Sequence, residues 1–367
     1  LDHAWRASSL LPDPLLAMHN MNRFHWHLTE DQGWRLEIKK YPLLTAIGSK
    51  RAETVIGHNT QIGDGTPYEG YYTQDEARDI VEYARQRHIV VVPEIDMPGH
   101  QLAALAAMPN LGCTGGPYKV GTVWGVYDDI LCLGNEDTYK FCEDVLSELI
   151  DIFPSEVIHI GGDEAPTVRV EHCPKCQALM QREYLTPKNI QGYFTNRIEK
   201  FVNSKGRRIM GWDEIMDGDI NTSAMVHCWR NPSFGIKAAQ KGHDVVLSPT
   251  KYCYFDFYQA NPRAVHEPLA IGGYLPVDSV YNMDTMPKDI SPENRKHIIG
   301  IQANLWTEYV AVPNHAEYML LPRMAALAEN AWVKDRGPYS AFLPRLTRLK
   351  SLYDVYNLHY ANHVWKK

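Results

Sequence analysis

Short apolar, β-rich runs alternate along this chain with stretches of helical periodicity. The runs lie at 22–28, 88–96, 157–164, 208–214, 224–229, 244–249 and 298–306. Between the first two, Ala77, Ile80, Val81 and Ala84 recur at i, i+3, i+4 and i+7, which predicts a helix over 73–87. Thr73 with Glu76 reads as its capping box. Strands alternating with helices imply parallel βαβ units. Seven runs, with a possible first strand near residue 1, predict an α/β fold of the (β/α)8 TIM-barrel type. An open doubly wound sheet is the alternative, and the lack of a GxGxxG after the first clear strand weakens its dinucleotide-binding form. Residues 338–367 read as a terminal helix packed on a barrel of residues 1–337, all in one domain.

Chemically loaded residues fall at the C-terminal ends of these runs. They are His25-Trp26-His27, Glu94-Ile95-Asp96, Asp163-Glu164, Trp212-Asp213-Glu214, His227-Cys228-Trp229 and Trp306-Thr307-Glu308. In a barrel that face carries the active site. One charged strand end is a solvated loop start, but six at the same relative place are hard to ascribe to solvation.

Composition narrows the classes. A chain of 367 residues with 44% hydrophobic positions can bury a large core. A net charge of −7 offers no basic face to nucleic acid. No apolar run reaches the roughly 18 residues of a membrane span. The chain opens on Leu1 without a signal-like segment, as a piece of a longer protein would, which leaves any targeting peptide out of view. An odd cysteine count, seven, leaves at least one thiol unpaired within the chain. Cys113 and Cys132 bracket a Gly-rich loop and could close it. Cys173 and Cys176 form a CxxC, but zinc needs about four ligands, only His172 lies beside the pair, and there is no second CxxC. A local disulfide or plain thiols is therefore the expectation.

Three stretches carry the chemistry. In "HWH" at 25–27 the two histidines share a strand face and could bind a metal, as in a metal-dependent amidohydrolase, or could hydrogen-bond inside a polar barrel end; the second is the expectation. In "PEIDMPGH" at 93–100, Asp96 and His100 could pair across the Pro98-Gly99 turn, orienting the imidazole. In "HIGGDEAP" at 159–166, two glycines let the backbone bend and a ligand come close, and two acids follow. On an extended strand Asp163 and Glu164 point to opposite faces. They would not flank one bond as the paired carboxylates of an ordinary retaining glycosidase do, about 5 Å apart. They fit a reaction whose nucleophile is the substrate's own 2-acetamido oxygen.

With these motifs the chain resembles family 20 glycoside hydrolases, the β-N-acetylhexosaminidases. "NRFHWHLTEDQGWR", "VVPEIDMPGH", "HIGGDEAP", "MGWDEI", "CYFD" and "LWTE" stand in the family's order from about Asn22 onward. The resemblance implies a retaining exo-enzyme without metal or cofactor. It would remove terminal β-linked N-acetylglucosamine or N-acetylgalactosamine from glycans through an oxazolinium ion. It implies Glu164 as general acid/base, Asp163 as the acid that orients the acetamido group, and Tyr254 as donor to the acetamido oxygen. Trp212, Trp229 and Trp306 would wall the sugar, Asp256 and Glu308 would accept its hydroxyls, and His100 with Asp96 would sit behind Glu164. Glu30 stands where the family usually has Asp. The family's first strand places an Arg on the sugar hydroxyls; here Trp5 takes that position and Arg6 follows, a weak candidate. The next helix looks short, with Pro12 and Pro14 set to disturb it. The small α/β domain that often precedes the barrel is not in this sequence. These N-terminal departures suit a second class, an inactive sugar-binding homologue. Family habit implies a periplasmic, secreted or lysosomal location.

Overall fold

The computed structural model describes residues 12–366, so Trp5 and Arg6 lie outside the described residues. The chain divides into two compact units. Among the described residues, the larger comprises Asn22–His227 with Lys241–Asp244, and the smaller comprises 12–21, Cys228–Gln240 and 245–366.

In the larger unit, α2 (Gln74–Arg85), α3 (Glu136–Ile152), α4 (Pro174–Glu183) and α5 (Ile190–Ser204) follow the strands that precede them. The strands are β1 (Arg23–His27), β2 (Val90–Glu94), β3 (Val157–His159), β4 (Arg208–Trp212) and β5 (Met225–Cys228). Each pairs with the next in parallel. The capping box of α2 is complete: Thr73 accepts from the Glu76 N–H, and Glu76 accepts from the Thr73 N–H at 2.7 Å. Of the predicted stripe, Ala77, Ile80 and Ala84 are buried. Helix α3 buries Val145, Leu146 and Leu149 completely.

Strand register positions the chemistry. His27 lies opposite Glu94, Glu94 opposite His159, and Trp212 opposite His227. The strands begin near their expected positions but end sooner. β3 stops at His159 rather than running to Glu164, because Gly161, Gly162 and Glu164 take φ of +67°, +96° and +46°. An extended strand cannot continue through left-handed backbone.

In the smaller unit, α1 (Pro12–Met18) holds Pro12 and Pro14 in its first turn, where a missing N–H forfeits no intrahelical bond. Its continuation is anchored by His19, which reaches the Leu15 carbonyl (2.7 Å) and the Tyr353 hydroxyl (2.8 Å). Tyr353 lies on α9 (Tyr339–Val355), the C-terminal helix. β6 (Val245–Leu247) and β7 (Ile298–Ile301) pair in parallel. Between them in sequence Asp256 follows a short helix, Thr250–Cys253. The Arg323 guanidinium, fully buried on α8 (Arg323–Trp332), donates to the Phe255, Phe257 (2.9 Å) and Leu275 (3.2 Å) carbonyls. Burial pulls its pKa down to about 9. It pins the backbone on both sides of Asp256.

The cysteines are plain thiols, one of the two expected outcomes, but four of them gather. Cys113, Cys132, Cys173 and Cys176 converge, their sulfurs all within 4.8 Å of one another. All seven cysteines are free thiols. The Gly-rich loop brings two of these sulfurs to the CxxC. Among the described residues no helix is long and apolar enough to cross a membrane.

Candidate active site

Glu94 is the hub of the larger unit. It is completely buried at the end of β2. His25 Nε2 (2.7 Å) and His27 Nδ1 (2.9 Å) approach its Oε2. His159 Nδ1 (3.0 Å) and the Trp212 indole N–H (3.0 Å) approach Oε1. Burial alone would raise the carboxyl, but the surrounding imidazoles, His159 first and then His27 and His25, outweigh it and hold Glu94 well below its ordinary range. Burial works against a charge on His27 too, yet Glu94 and Glu30 carry its pKa well above normal. His159 accepts from the Gly161 N–H (3.1 Å), and burial brings it down to about 4. So both histidines of "HWH" are turned onto a carboxylate. Trp212 is 1% exposed and stacks on His227 with ring centroids 4.2 Å apart.

His100 lies beyond this hub and gathers four acids. Its Nδ1 is 3.1 Å from Glu30 Oε2 and 3.3 Å from Asp31 Oδ2. Its Nε2 is 3.6 Å from Glu164 Oε2 and 3.8 Å from Asp163 Oδ2. Against the cost of burial, Glu30 above all raises the imidazole well above its usual pKa. His100 is therefore a cation between two pairs of carboxyl groups.

Asp163 and Glu164 do not diverge as strand neighbours would. They sit on a turn, and both side chains reach the same imidazole nitrogen. Nor does Asp96 pair with His100 in the way the sequence suggested; Glu30 and Asp31 occupy the Nδ1 side. Asp96 Oδ1 instead accepts the Gly162 N–H (3.0 Å). Asp96 and Asp163 also hydrogen-bond to each other, which requires one of them to hold a proton. Burial drives Asp96 well above the usual carboxyl range and Asp163 only to about 6.

The arrangement itself requires both glycines. A Cβ on Gly161 would lie 1.7 Å from Asp96 Oδ1, and one on Gly162 would lie 2.6 Å from Ile215 Cγ2. His100 and Glu164 both hold positive φ, +52° and +46°, a strain that clusters at functional positions.

The smaller unit groups the remaining candidates. Tyr254 is 8% exposed, with its ring 6.1 Å from Trp229 and 6.4 Å from Trp306. Asp256 is buried, and neither carboxylate oxygen has a hydrogen-bond partner among the described residues. Burial and then the charge of Glu308 push its pKa up to about 8.

Sequence reading marked Glu94 as a strand end but gave it no role, and it passed over Asp31 and Arg35. Asp31 sits inside the quoted "TEDQGWR", next to Glu30, so adjacency was the available signal. Arg35 donates to the Ser49 and Gly70 carbonyls, each at 2.7 Å. It also explains Gly33, whose Cβ would fall 2.0 Å from the guanidinium.

Comparison with known proteins meets this geometry. The model of glycosyl hydrolase family 20, catalytic domain, matches residues 14–335. A beta-hexosaminidase of Porphyromonas gingivalis is 43% identical over 94% of this chain and 44% of its own length. One from Akkermansia muciniphila is 34% identical over 87% of this chain and 63% of its own. Among solved structures, an exo beta-N-acetylglucosaminidase from Vibrio harveyi, in complex with N-acetylglucosamine, superposes with a TM-score of 0.83. That match is 34% identical and covers 96% of this chain and 56% of the other. The chain thus spans about half the length of the curated relatives it matches. It has the (β/α)8 fold class and belongs to glycosyl hydrolase family 20.

Proposed function

We propose that the protein is a retaining exo-β-N-acetylhexosaminidase. It would release terminal β-linked N-acetylglucosamine or N-acetylgalactosamine, with the substrate's acetamido oxygen as nucleophile. The supporting observation is the setting of Asp163. Its carboxylate shares a hydrogen bond with Asp96 and lies beside cationic His100. An acid so engaged suits holding an acetamido N–H and facing a developing oxazolinium charge better than attacking C1.

Glu164, with a side chain 39% exposed, protonates the glycosidic oxygen and later takes a proton from water, while His100 positions it. Tyr254 donates to the acetamido oxygen, and Trp212, Trp229 and Trp306 are proposed to wall the sugar. Asp256, buried with unmet acceptors, and Glu308 receive sugar hydroxyls. Glu30 acts through His100. A periplasmic, secreted or lysosomal setting accompanies this reading.

The test is hydrolysis of an N-acetylglucosaminide by the wild type and Glu164→Gln. The variant should lose about 10²–10⁴-fold on a natural disaccharide and much less on a substrate with a good leaving group. Equal rates for both proteins on the disaccharide would overturn the assignment. A 2-hydroxyl analogue should be nearly inert. A trapped glycosyl ester on an enzyme carboxylate would refute the substrate-assisted route.

A further inference from the structure

The four converging sulfurs have no part in the proposed chemistry. Cys132 Sγ is 3.5 Å from Cys173 Sγ and 3.7 Å from Cys176 Sγ, and Cys113 Sγ is 3.8 Å from Cys176 Sγ. A zinc–sulfur bond of about 2.3 Å gives a tetrahedron whose edge, the S···S distance, is about 3.8 Å. The measured spacings lie on that edge, far beyond a disulfide bond of about 2.05 Å. Soft thiolates in a tetrahedral S₄ set select zinc or iron.

The fold builds this set from two directions. Cys173 is the N-cap of α4, and Cys176 lies in its first turn, so the CxxC spacing puts both sulfurs at the helix's positive end. The other pair comes from the two ends of the loop 113–132. An antiparallel bridge joins Gly112 to Leu131, and the Cys132 N–H donates to the Leu111 carbonyl (2.7 Å), which sets the two cysteines side by side. Gly134 carries the backbone against the start of α4: a Cβ there would lie 2.2 Å from the Lys175 carbonyl. Three of the four residues are buried, so a bound ion would be closed off from water, as structural sites are.

We propose that Cys113, Cys132, Cys173 and Cys176 bind one structural Zn²⁺. Binding releases four thiol protons to solvent and moves no electrons. The ion ties the base of the loop to α4. The loop in turn reaches the active-site region: the Gly121 N–H donates to the Asp31 carbonyl (2.9 Å), Gln32 donates to the Val123 carbonyl (2.9 Å), and the Leu131 N–H donates to the Pro98 carbonyl (3.0 Å).

The test is metal analysis of the full chain, purified without chelator and again after reconstitution with Zn²⁺ under reducing conditions. About one zinc per chain is expected. A mercurial thiol reagent should release it, as read with a metallochromic dye, and this needs no variant. Cobalt in its place should show the sulfur-to-cobalt charge-transfer absorption of a tetrathiolate. Cys132→Ser and Cys176→Ser should lose the ion, while Cys142→Ser, a buried cysteine outside the cluster, keeps it. No zinc after reconstitution, two disulfides in the native chain, or bound iron would each overturn the proposal. These readouts do not depend on glycosidase activity.

Discussion

Two carboxylate settings divide the molecule. In the larger unit every acid near Asp163 has a charged or protonated neighbour from the protein itself: Glu94 its histidines, Glu30 and Asp31 their His100, Asp163 its Asp96. In the smaller unit Asp256 is just as deeply buried, yet its oxygens accept nothing from the described residues. The first arrangement sets charged groups against one another before any ligand arrives, as a preorganised electrostatic site should. The second is incomplete until a donor comes, as a recognition site for hydroxyls should be.

The sharpest way to break the contrast is to remove the hub. Glu94→Ala strips a buried anion from three histidines and an indole, and should cost about 3–5 kcal/mol of stability in denaturant unfolding. Glu94→Gln should recover part of that. A loss below about 1 kcal/mol would mean the network does not hold the strand ends.

Next comes Asp163→Asn, which removes the anion while leaving an acceptor. It should lower kcat by about 10²–10³-fold, with KM changed far less. A KM effect alone would place Asp163 with the recognition acids instead.

The shared proton can be tested by pH. Asp163 must be ionised, and its pKa is raised to about 6, so kcat/KM should fall as pH drops through about 6. Asp96→Asn keeps a donor toward Asp163 and should leave that limb in place. Asp96→Ala removes the donor and should move the limb to higher pH. Identical limbs in all three proteins would show that Asp96 does not hold the proton.

The smallest effect belongs to Asp256→Asn. Its folded pKa, about 8, lies above the unfolded value, so the native state holds the extra proton and stability falls as pH rises through about 8. Asn removes the ionisation. Tm should therefore rise a few degrees at pH 8 and hardly at pH 4, while KM for the sugar increases. A variant less stable at pH 8 would mean that the buried carboxylate is already satisfied.

How far the sequence carried the fold depends on which forces are local. Seven strands and the α2 cap were legible because β-branched runs, helical spacing and Thr73-to-Glu76 contacts act within a few residues. The end of β3 was not, because Gly161 yields to Asp96, a contact between residues 65 positions apart. Asp163 and Glu164 were legible as residue types, but their common partner His100 depended on the turn. The convergence of the four cysteines was not legible because Cys113 and Cys132 reach the CxxC only through tertiary structure.

The ladder register of His27, Glu94 and His159 has a consequence for how the protein comes to be active. Each of the three belongs to a different βα unit, and the Trp212 contact to Glu94 spans 118 positions. During synthesis the network around Glu94 stays incomplete until Trp212 has emerged, long after His27 and Glu94. Long-range pairing of this kind closes slowly, since a large loop entropy must be overcome before any contact compensates it. Catalytic competence should therefore appear late in refolding, after most helix signal has returned, and the unclosed strand ends are the stretch most in need of protection from aggregation until then.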